Sequence, residues 1–323
     1  MRVLFLGGTS FTGPHAVREL AQRGHEITVF HRGEHEPDMP AEVRHVHGDL
    51  AGWDDHMDEL RALEPDVVVD MVAYVAADAR RVLAFRGIAQ RAVVVSSADV
   101  YLAFGRVHGT EPGPPVDLPL TEGSPLREVV IDPTYDKVAV ERDTRSDPGF
   151  PVTILRYPAV HGPGDPQHRL YQLIRRMDDG RPAILVQDSM ASWRWMRGYS
   201  EDVAHALALV AESERHAGRI YHVAWREAAP LEEWVNKVAE VVGWDGHIVR
   251  VPHSRLPEPL RFDGNFDQDF VVDSSRIRDE LGYEEVVDER TALERTIEWE
   301  RANPPDGFEV DYDAEDAALA SRG

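Results

Sequence analysis

The chain has 323 residues, 42% of them hydrophobic, and its formal net charge at pH 7 is −23. This length can bury a substantial core, whereas the negative charge argues against nucleic acid as a partner, because phosphate binding requires clustered cations. The chain contains no cysteine, which excludes disulfides, and no apolar run approaches the ~18 residues of a membrane span. We therefore expect a cytoplasmic protein that does not bind a membrane.

The N-terminal segment has the pattern of a nucleotide-binding unit. Residues 2–6 form a short apolar run, the glycine-rich turn GGTSFTG follows at 7–13, and a helical pattern begins near Pro14 before a second apolar run at 26–30. Strand, glycine-rich turn, helix and strand in this order indicate dinucleotide binding, with the phosphates at the helix N-terminus. The residues of this turn that we expect to contact the cofactor are Gly7, Gly8, Thr9, Ser10, Phe11, Thr12 and Gly13.

Apolar runs and helical patterns continue to alternate after this unit. Runs typical of strands lie at residues 43–47, 66–71, 91–96, 152–157 and 219–223. Helical patterns lie at residues 53–63, 77–89, 135–145 and 201–211. This alternation predicts an α/β fold, in which a Rossmann-type, doubly wound parallel sheet is joined to a smaller C-terminal substrate-binding region.

The same patterns suggest how the chain is divided. We expect the dinucleotide-binding domain to span residues 1–165, with residues 185–225 returning to it. The substrate-binding region would then comprise residues 166–184 and 226–305. Residues 103–127 are rich in proline and glycine and form a long loop, which is either a lid over the site or an inert excursion. The acidic segment 306–323 is expected to be a solvated, mobile tail.

Six motifs, in order along residues 1–300, carry a family resemblance. They are GGTSFTG at 7–13, HGDL at 47–50, VVVSSADVY at 93–101, YDKVAVE at 135–141, LRYPAVHGPGD at 155–165 and RGYSEDVAHAL at 197–207. In these motifs the chain resembles the extended short-chain dehydrogenase/reductase family, specifically its NAD(P)-dependent epimerase/dehydratase branch. Members act mostly on sugar nucleotides, so the resemblance implies a small-molecule substrate. The resemblance also implies a homodimer that forms through the helix at 135–145.

The end of the second strand bears on the choice of cofactor. NAD-specific members carry an acid there, which bonds the hydroxyls of the adenosine ribose. Here His31 and Arg32 stand at that point, where Arg32 could pair with a 2′-phosphate and His31 could add a donor. This favours NADP over NAD. The alternative is that Arg32 is simply exposed to solvent and that the pocket accepts either NAD or NADP. The resemblance implies that Asp49 and Leu50 flank the adenine and that Ala73 lies near the ribose.

The catalytic motif departs from the family pattern. Family chemistry uses a tyrosine for proton transfer, a lysine four residues later and a serine on the reacting oxygen. By resemblance Ser97 is that serine, and Lys137 is that lysine, which also contacts the cofactor. Pro133 occupies the tyrosine position, and Tyr135 would point to a different face of the predicted helix. Three alternatives remain: Asp99 is the acid/base, Tyr135 is recruited by an irregular helix start, or redox activity is weak.

Several other residues are candidates for substrate contacts. His161 stands where the family often has tyrosine, and it could titrate near neutral pH. Arg194 and Arg197 lie among aromatic residues and suit an anionic, planar ligand, or else they simply pack on the core. The expected substrate-binding residues are Tyr101, His161, Arg194 and Arg197. A metal site is not expected, because the histidines between residues 31 and 47 show no convergent spacing.

These observations favour an NAD(P)-dependent oxidoreductase, epimerase or dehydratase that acts on a sugar nucleotide or a related hydroxyl or carbonyl compound. Its Tyr-x-x-x-Lys site would carry proline at the tyrosine position. The alternative is a dinucleotide-binding sensor or regulatory protein that has kept the shape of the site and has little redox activity.

Overall fold

The structure, a computed structural model, describes residues 1–320. Seven strands form the central sheet: β1 (Arg2–Leu6), β2 (Glu26–His31), β3 (Arg44–His47), β4 (Val67–Asp70), β5 (Arg91–Ser97), β6 (Val152–Tyr157) and β10 (Ile220–His222). They are parallel throughout and lie in the order β3-β2-β1-β4-β5-β6-β10. The predicted doubly wound parallel sheet is confirmed.

Two further strand pairs lie outside this sheet. β7 (Ala159–His161) pairs with β9 (Arg197–Tyr199), and β8 (Ala183–Gln187) pairs with β11 (His247–Val251). The helices of the described chain are α1 (Gly13–Gln22), α2 (Trp53–Arg61), α3 (Ala79–Leu83), α4 (Leu102–Val107), α5 (Lys137–Thr144), α6 (Tyr171–Asp178), α7 (Ser200–Glu212), α8 (Leu231–Val242), α9 (Ser275–Leu281), α10 (Glu289–Ala302) and α11 (Tyr312–Ala320).

Helices cover both faces of the central sheet. Val17 of α1 and Leu207 of α7 pack against one face, while Leu60 of α2 and Val140 of α5 belong to the core on the other face. All four residues of β4 are buried, as the apolar run predicts for a strand covered on both sides. Each large apolar side chain buried in this way contributes roughly 1.5–3 kcal/mol to folding.

The C-terminal region has a core of its own, in which Ile174 of α6, Trp234 of α8 and Leu293 of α10 pack together. Strand β8 belongs to this region because it pairs with β11, so the predicted return to the first domain at residue 185 is placed too early. The chain rejoins the central sheet through α7 and β10. Among residues 1–320, no helix is long and apolar enough to cross a membrane.

The acidic segment after residue 305 differs from the mobile tail that we expected. Residues 312–320 form α11, and the carboxylate of Glu315 is buried against Arg176 at 2.7 Å. Ala318 is buried in a small cluster with Leu185 and Val251. A buried ion pair and an apolar contact therefore hold this segment, which its overall charge did not reveal. The last three residues of the predicted tail, 321–323, lie outside the described part of the chain.

Candidate active site

A cleft of about 1210 Å³ opens at the carboxyl ends of β1, β2 and β4. Open parallel sheets bind ligands at this edge, where the strand order reverses. Most of the predicted cofactor residues line it, namely Gly7, Gly8, Thr9, Ser10, Phe11, Thr12, His31, Arg32, Asp49 and Leu50. The glycine-rich turn, the end of β2 and the end of β3 thus converge on one elongated cavity.

The turn between β1 and α1 requires glycine at three positions. Gly7 and Gly8 have φ values of +77° and +107°, which other residues rarely adopt. A Cβ atom on Gly13 would lie 2.5 Å from the backbone of Gly8, so Gly13 lets the N-terminus of α1 pack directly on the turn. Gly13 is therefore a packing residue of the turn and does not itself line the cleft. The resulting cradle fits the phosphates of a dinucleotide at a helix N-terminus.

The end of the cleft at β2 contains the residues expected to choose between cofactors. Arg32 is exposed, and its Nη2 lies 3.0 Å from a carboxylate oxygen of Glu34. His31 is buried, with 6% of its surface exposed, and its Nε2 lies 2.8 Å from Nδ1 of His45. Asp49 caps the turn that follows β3, because its Oδ1 accepts a hydrogen bond from the Ala51 N–H at 2.9 Å.

Lys137 is the buried centre of the predicted catalytic group. Its Nζ donates to the main-chain oxygens of Ala73 at 2.6 Å and Val95 at 3.0 Å, and so ties α5 to the ends of β4 and β5. Burial lowers the pKa of Lys137 to about 8, although Asp70 and Asp99 act in the opposite direction. Ala73 is fully buried, and its carbonyl oxygen points to Lys137.

Tyr135 does not lie on a helix, which overturns the geometric objection to its role. Helix α5 begins at Lys137, and the chain before it is a turn in which the Tyr135 N–H bonds the Asp132 oxygen at 3.0 Å. The Tyr135 ring centre lies 5.4 Å from Nζ of Lys137 and 6.0 Å from the ring centre of Tyr74. Pro133, at the usual tyrosine position, is exposed in the same turn.

Ser97 and Asp99 complete this group at the end of β5. Burial and the charge of Asp99 raise the pKa of Tyr135, whereas a hydrogen bond with Ser97 lowers it. Burial also raises the pKa of Asp99, and a hydrogen bond with Ser97 again opposes the shift. Ser97 Oγ accepts the Asp99 N–H at 3.2 Å. Ser97, Asp99 and Tyr135 are therefore close enough to influence one another's protonation.

Sequence reasoning missed two residues of this group. Tyr74 lines the cleft, and its ring centre lies 4.8 Å from Nζ of Lys137, so it borders both the cavity and the catalytic group. Arg127 is buried in the long loop after α4, and its Nε donates to the main-chain oxygen of Asp99 at 3.0 Å. No motif marks either residue, although Tyr74 follows a buried strand at the ligand-binding edge of the sheet.

Two predicted substrate residues are buried away from the cleft. Tyr101 is fully buried, and its hydroxyl donates to the Thr121 oxygen at 2.9 Å and contacts Arg156. His161 has 2% of its surface exposed, and its Nδ1 lies 3.0 Å from Oγ1 of Thr296. Burial lowers the pKa of His161 to about 3, so the expectation that it titrates near neutral pH is wrong. Both side chains act in packing.

Arg194 and Arg197 have separate surroundings. Arg194 is exposed, pairs with Asp269 at 2.8 Å and lines a second cavity of about 400 Å³. Arg197 has 9% of its surface exposed, lies 4.5 Å above the Trp234 ring and donates to the Trp195 oxygen at 2.9 Å. Burial lowers the pKa of Arg197 to about 10. Ordinary packing therefore describes Arg197, and of the two only Arg194 lines a cavity.

The histidines near the end of β2 do converge, contrary to the prediction from their spacing. One nitrogen each of His31, His45 and His47 and one carboxylate oxygen of Glu36 all lie within 4.8 Å of one another. His45 and His47 alternate along β3, and alternate residues of a strand share one face of the sheet. The register pairs His31 directly with His47. The expectation that these histidines do not converge was wrong, because it placed His31 in a loop and ignored the shared face of β2 and β3.

Comparison with known proteins finds relatives over most of the chain. A sequence model of the NAD dependent epimerase/dehydratase family matches residues 3–224. The 2′-dehydrokanamycin reductase of Streptomyces kanamyceticus is 30% identical over 286 residues, which cover 85% of this chain and 75% of the relative. The UDP-glucose 4-epimerase of Lactobacillus helveticus is 26% identical, with 96% of this chain and 99% of the relative covered.

Solved structures share the whole fold at low sequence identity. One of them, MoeE5 in complex with UDP-glucuronic acid and NAD, matches with a TM-score of 0.71 and 23% identity, covering 94% of this chain and 99% of that one.

Proposed function

The chain belongs to the NAD-dependent epimerase/dehydratase family, and we propose that it is an NADP(H)-dependent reductase of a carbonyl group on a sugar or sugar-like ring. One observation carries the proposal: Tyr135 lies beside Lys137, whose Nζ is hydrogen-bonded to the end of β5 that leads to Ser97, and Tyr74 joins this group to the dinucleotide cleft. The relatives of this chain include reductases, epimerases and dehydratases. The name of the relative at 30% identity, a reductase of a dehydro-aminoglycoside, supports a reductase here.

The proposed roles follow from the contacts of each side chain. The glycine-rich turn from Gly7 to Gly13 would hold the pyrophosphate, and the bound cofactor would supply a hydride from its nicotinamide ring. Ser97 would donate a hydrogen bond to the carbonyl oxygen of the substrate. Tyr135 would give its proton to the same oxygen, and Asp99 would replace that proton through Ser97. Lys137 would hold the nicotinamide ribose beside Ala73.

The electrostatics support proton donation in the direction of reduction. Tyr135 is a neutral phenol at neutral pH, which is the form that can protonate an alkoxide, and burial raises its pKa further. Burial raises the pKa of Asp99 as well, which favours its protonated form relative to an exposed carboxyl group.

The proposed preference for NADP rests on the end of β2. No carboxylate stands in the last residues of that strand, and the exposed guanidinium of Arg32 lies at the rim of the cleft. A 2′-phosphate would compete with Glu34 for this guanidinium. The family habit of forming a homodimer through α5 remains a prediction.

The proposal is tested by two measurements on one preparation. Denaturing the purified protein and identifying any released nucleotide by mass spectrometry establishes which cofactor it carries. Oxidation of NADPH is then followed with a panel of ketosugars and keto-aminoglycosides, with S97A as the control. We expect reversible NADPH binding by both proteins and turnover of at least one ring ketone by wild type, with that turnover lost or strongly reduced in S97A. Tight NADPH binding without turnover of any ketone would favour a sensor, and failure to bind either nucleotide would contradict the proposal.

A further inference from the structure

We propose that His31, Glu36, His45 and His47 bind one divalent transition-metal ion of the zinc class. The four side chains offer three imidazole nitrogens and one carboxylate oxygen within 4.8 Å of one another. They lie at the β3 edge of the central sheet, separate from the catalytic group around Lys137. His31 also lines the cleft, so the ion would lie beside its β2 end.

The fold brings these residues together from three places. His45 and His47 share one face of β3, and the register places His31 of β2 next to His47 on that face. Glu36 comes from the loop between β2 and β3, which returns over the sheet edge. The loop turns at Gly33, whose φ is +80°, and Arg18 of α1 donates to the Asp38 oxygen at 2.8 and 3.1 Å. These contacts hold the loop, and the 2.6 Å contact of Glu36 Oε1 with Nε2 of His47 places the carboxylate beside the histidines.

The distances between the ligand atoms are close to those of a metal site. Nε2 of His31 lies 2.8 Å from Nδ1 of His45, and Nε2 of His47 lies 2.6 Å from Oε1 of Glu36. Tetrahedral ligands at the usual 2.0–2.1 Å from zinc are about 3.3 Å apart. The first pair would need to open by about 0.5 Å and the second by about 0.7 Å, while atoms as far apart as 4.8 Å would need to approach by about 1.5 Å, through rotations of the side chains.

The hydrogen bond between His31 and the main chain would change on coordination. The Gly33 N–H now donates to Nδ1 of His31 at a long 3.2 Å. An ion on Nε2 requires the proton on Nδ1, so binding replaces this weak hydrogen bond with a metal–ligand bond.

The donor set selects the class of ion. Three imidazoles and one carboxylate suit zinc, cobalt, nickel and copper, whereas magnesium and calcium prefer a shell of oxygen atoms. His31 is buried while His47 and Glu36 are exposed, which leaves an entry path from solvent. Such an ion would fix the loop between β2 and β3 against the sheet.

The test uses the full chain without a histidine tag, stripped with EDTA. Zinc is titrated in competition with a chromophoric chelator, and cobalt is added separately to record its visible d–d absorption. We expect one tight ion per chain, a tetrahedral cobalt spectrum and no competition from magnesium. H45N/H47N should weaken zinc binding roughly 100-fold or more, since loss of an outer-shell partner alone costs 10–100-fold.

Two matched variants make the result decisive. H35N removes an exposed histidine of the same loop that is outside the cluster, and it should leave zinc affinity unchanged. E36Q keeps all three histidines on the sheet and should weaken binding by about tenfold, with an unchanged circular dichroism spectrum. The proposal is overturned if the wild type binds no stoichiometric zinc, or if H45N/H47N binds it as tightly as H35N does.

Discussion

Nζ of Lys137 lies 5.4 Å from the centre of the Tyr135 ring, although a single residue separates the two in the chain. On a continuous helix, side chains two positions apart point in different directions. Here the helix begins at Lys137, and Tyr135 belongs to the turn before it. The two residues therefore approach each other from different backbone conformations, and the group survives the replacement of the usual tyrosine by Pro133.

Restoring the tyrosine of the family motif at position 133 should not increase turnover. Pro133 is exposed in a turn, so P133Y would place its phenol in solvent rather than beside Ser97. We expect the turnover of P133Y to stay within about threefold of wild type, because the acting phenol is already present. Steady-state assays with the ketone identified above measure this. A gain of tenfold or more would mean that the native turn lacks a competent acid.

Lys137 should give a distinctive dependence of stability on pH. Its pKa is about 8 in the folded protein, against an ordinary value of 10.5. Between these values the unfolded chain binds a proton that the folded protein does not, so folding becomes more favourable as the pH rises. At 1.36 kcal/mol per pH unit, wild type should gain about 3 kcal/mol relative to K137M from pH 8 to 10.5.

The measurement is urea unfolding of both proteins without cofactor across this pH range. Subtracting the K137M curve removes the titration of all other groups to first order. A difference between the two proteins that does not change with pH would show that the Lys137 ammonium keeps its ordinary pKa despite its burial.

The Glu141–Arg156 pair behind the site should be costly to break. Nη2 and Nε of Arg156 donate to the Glu141 carboxylate at 2.6 and 2.9 Å, and Ser96 adds a hydrogen bond at 2.6 Å. E141Q leaves the buried guanidinium without its counter-charge, and we expect a loss of about 3–5 kcal/mol in the free energy of unfolding. The double variant E141L/R156M should recover most of that loss. An equal loss of unfolding free energy in E141Q and in E141L/R156M would mean that the packing of the two side chains matters, rather than the pairing of their charges.

Substitutions of Arg32 and Glu34 should change the affinity for NADPH in opposite directions. R32A removes the guanidinium proposed to meet a 2′-phosphate, and we expect NADPH affinity to fall roughly tenfold, or ~1.4 kcal/mol, with NADH affinity unchanged. E34Q removes the carboxylate 3.0 Å from Arg32 and should tighten NADPH binding. Fluorescence titration of both nucleotides measures these changes. Equal effects on NADPH and NADH would refute a role for Arg32 in choosing between them.

The fold was largely predictable because its strands are buried on both faces. The apolar run at 152–157 matches β6 at both ends, and the run at 66–71 contains all of β4. The glycine-rich turn was equally predictable from the sequence. Its positive φ values and its close contact with α1 exclude most residues other than glycine. The prediction of a mobile tail was wrong because the segment is rich in acidic residues. It contains α11, where Glu315 is buried by pairing with Arg176.

The catalytic group could be predicted only in part, because one helix boundary was misplaced. Treating residues 135–145 as one helix separated Tyr135 from Lys137. Asp136 offered a signal, since aspartate often caps a helix N-terminus, and its Oδ1 accepts the Ala139 N–H at 3.4 Å. The contact of Arg127 with Asp99 depends on how a long loop folds back over β5, which no local pattern encodes.

The histidine cluster could have been predicted from the sequence. Residues at i and i+2 of a strand share a face, and the end of the preceding parallel strand lies beside them. Treating His45 and His47 as merely alternating overlooked this geometry. Arg194 and Arg197 show the opposite error, because their proximity in sequence suggested a shared ligand, whereas they pair with Asp269 and Trp234 respectively.

The most direct test of the central claim is the turnover of Y135F with a ketone substrate and NADPH. Removing one hydroxyl from the proposed proton donor should lower kcat by 100-fold or more, as expected for loss of a general acid. NADPH affinity and the melting temperature should stay at wild-type values, because Tyr135 is not proposed to hold the cofactor. A kcat within about twofold of wild type would contradict the assignment and leave Asp99 as the proton donor.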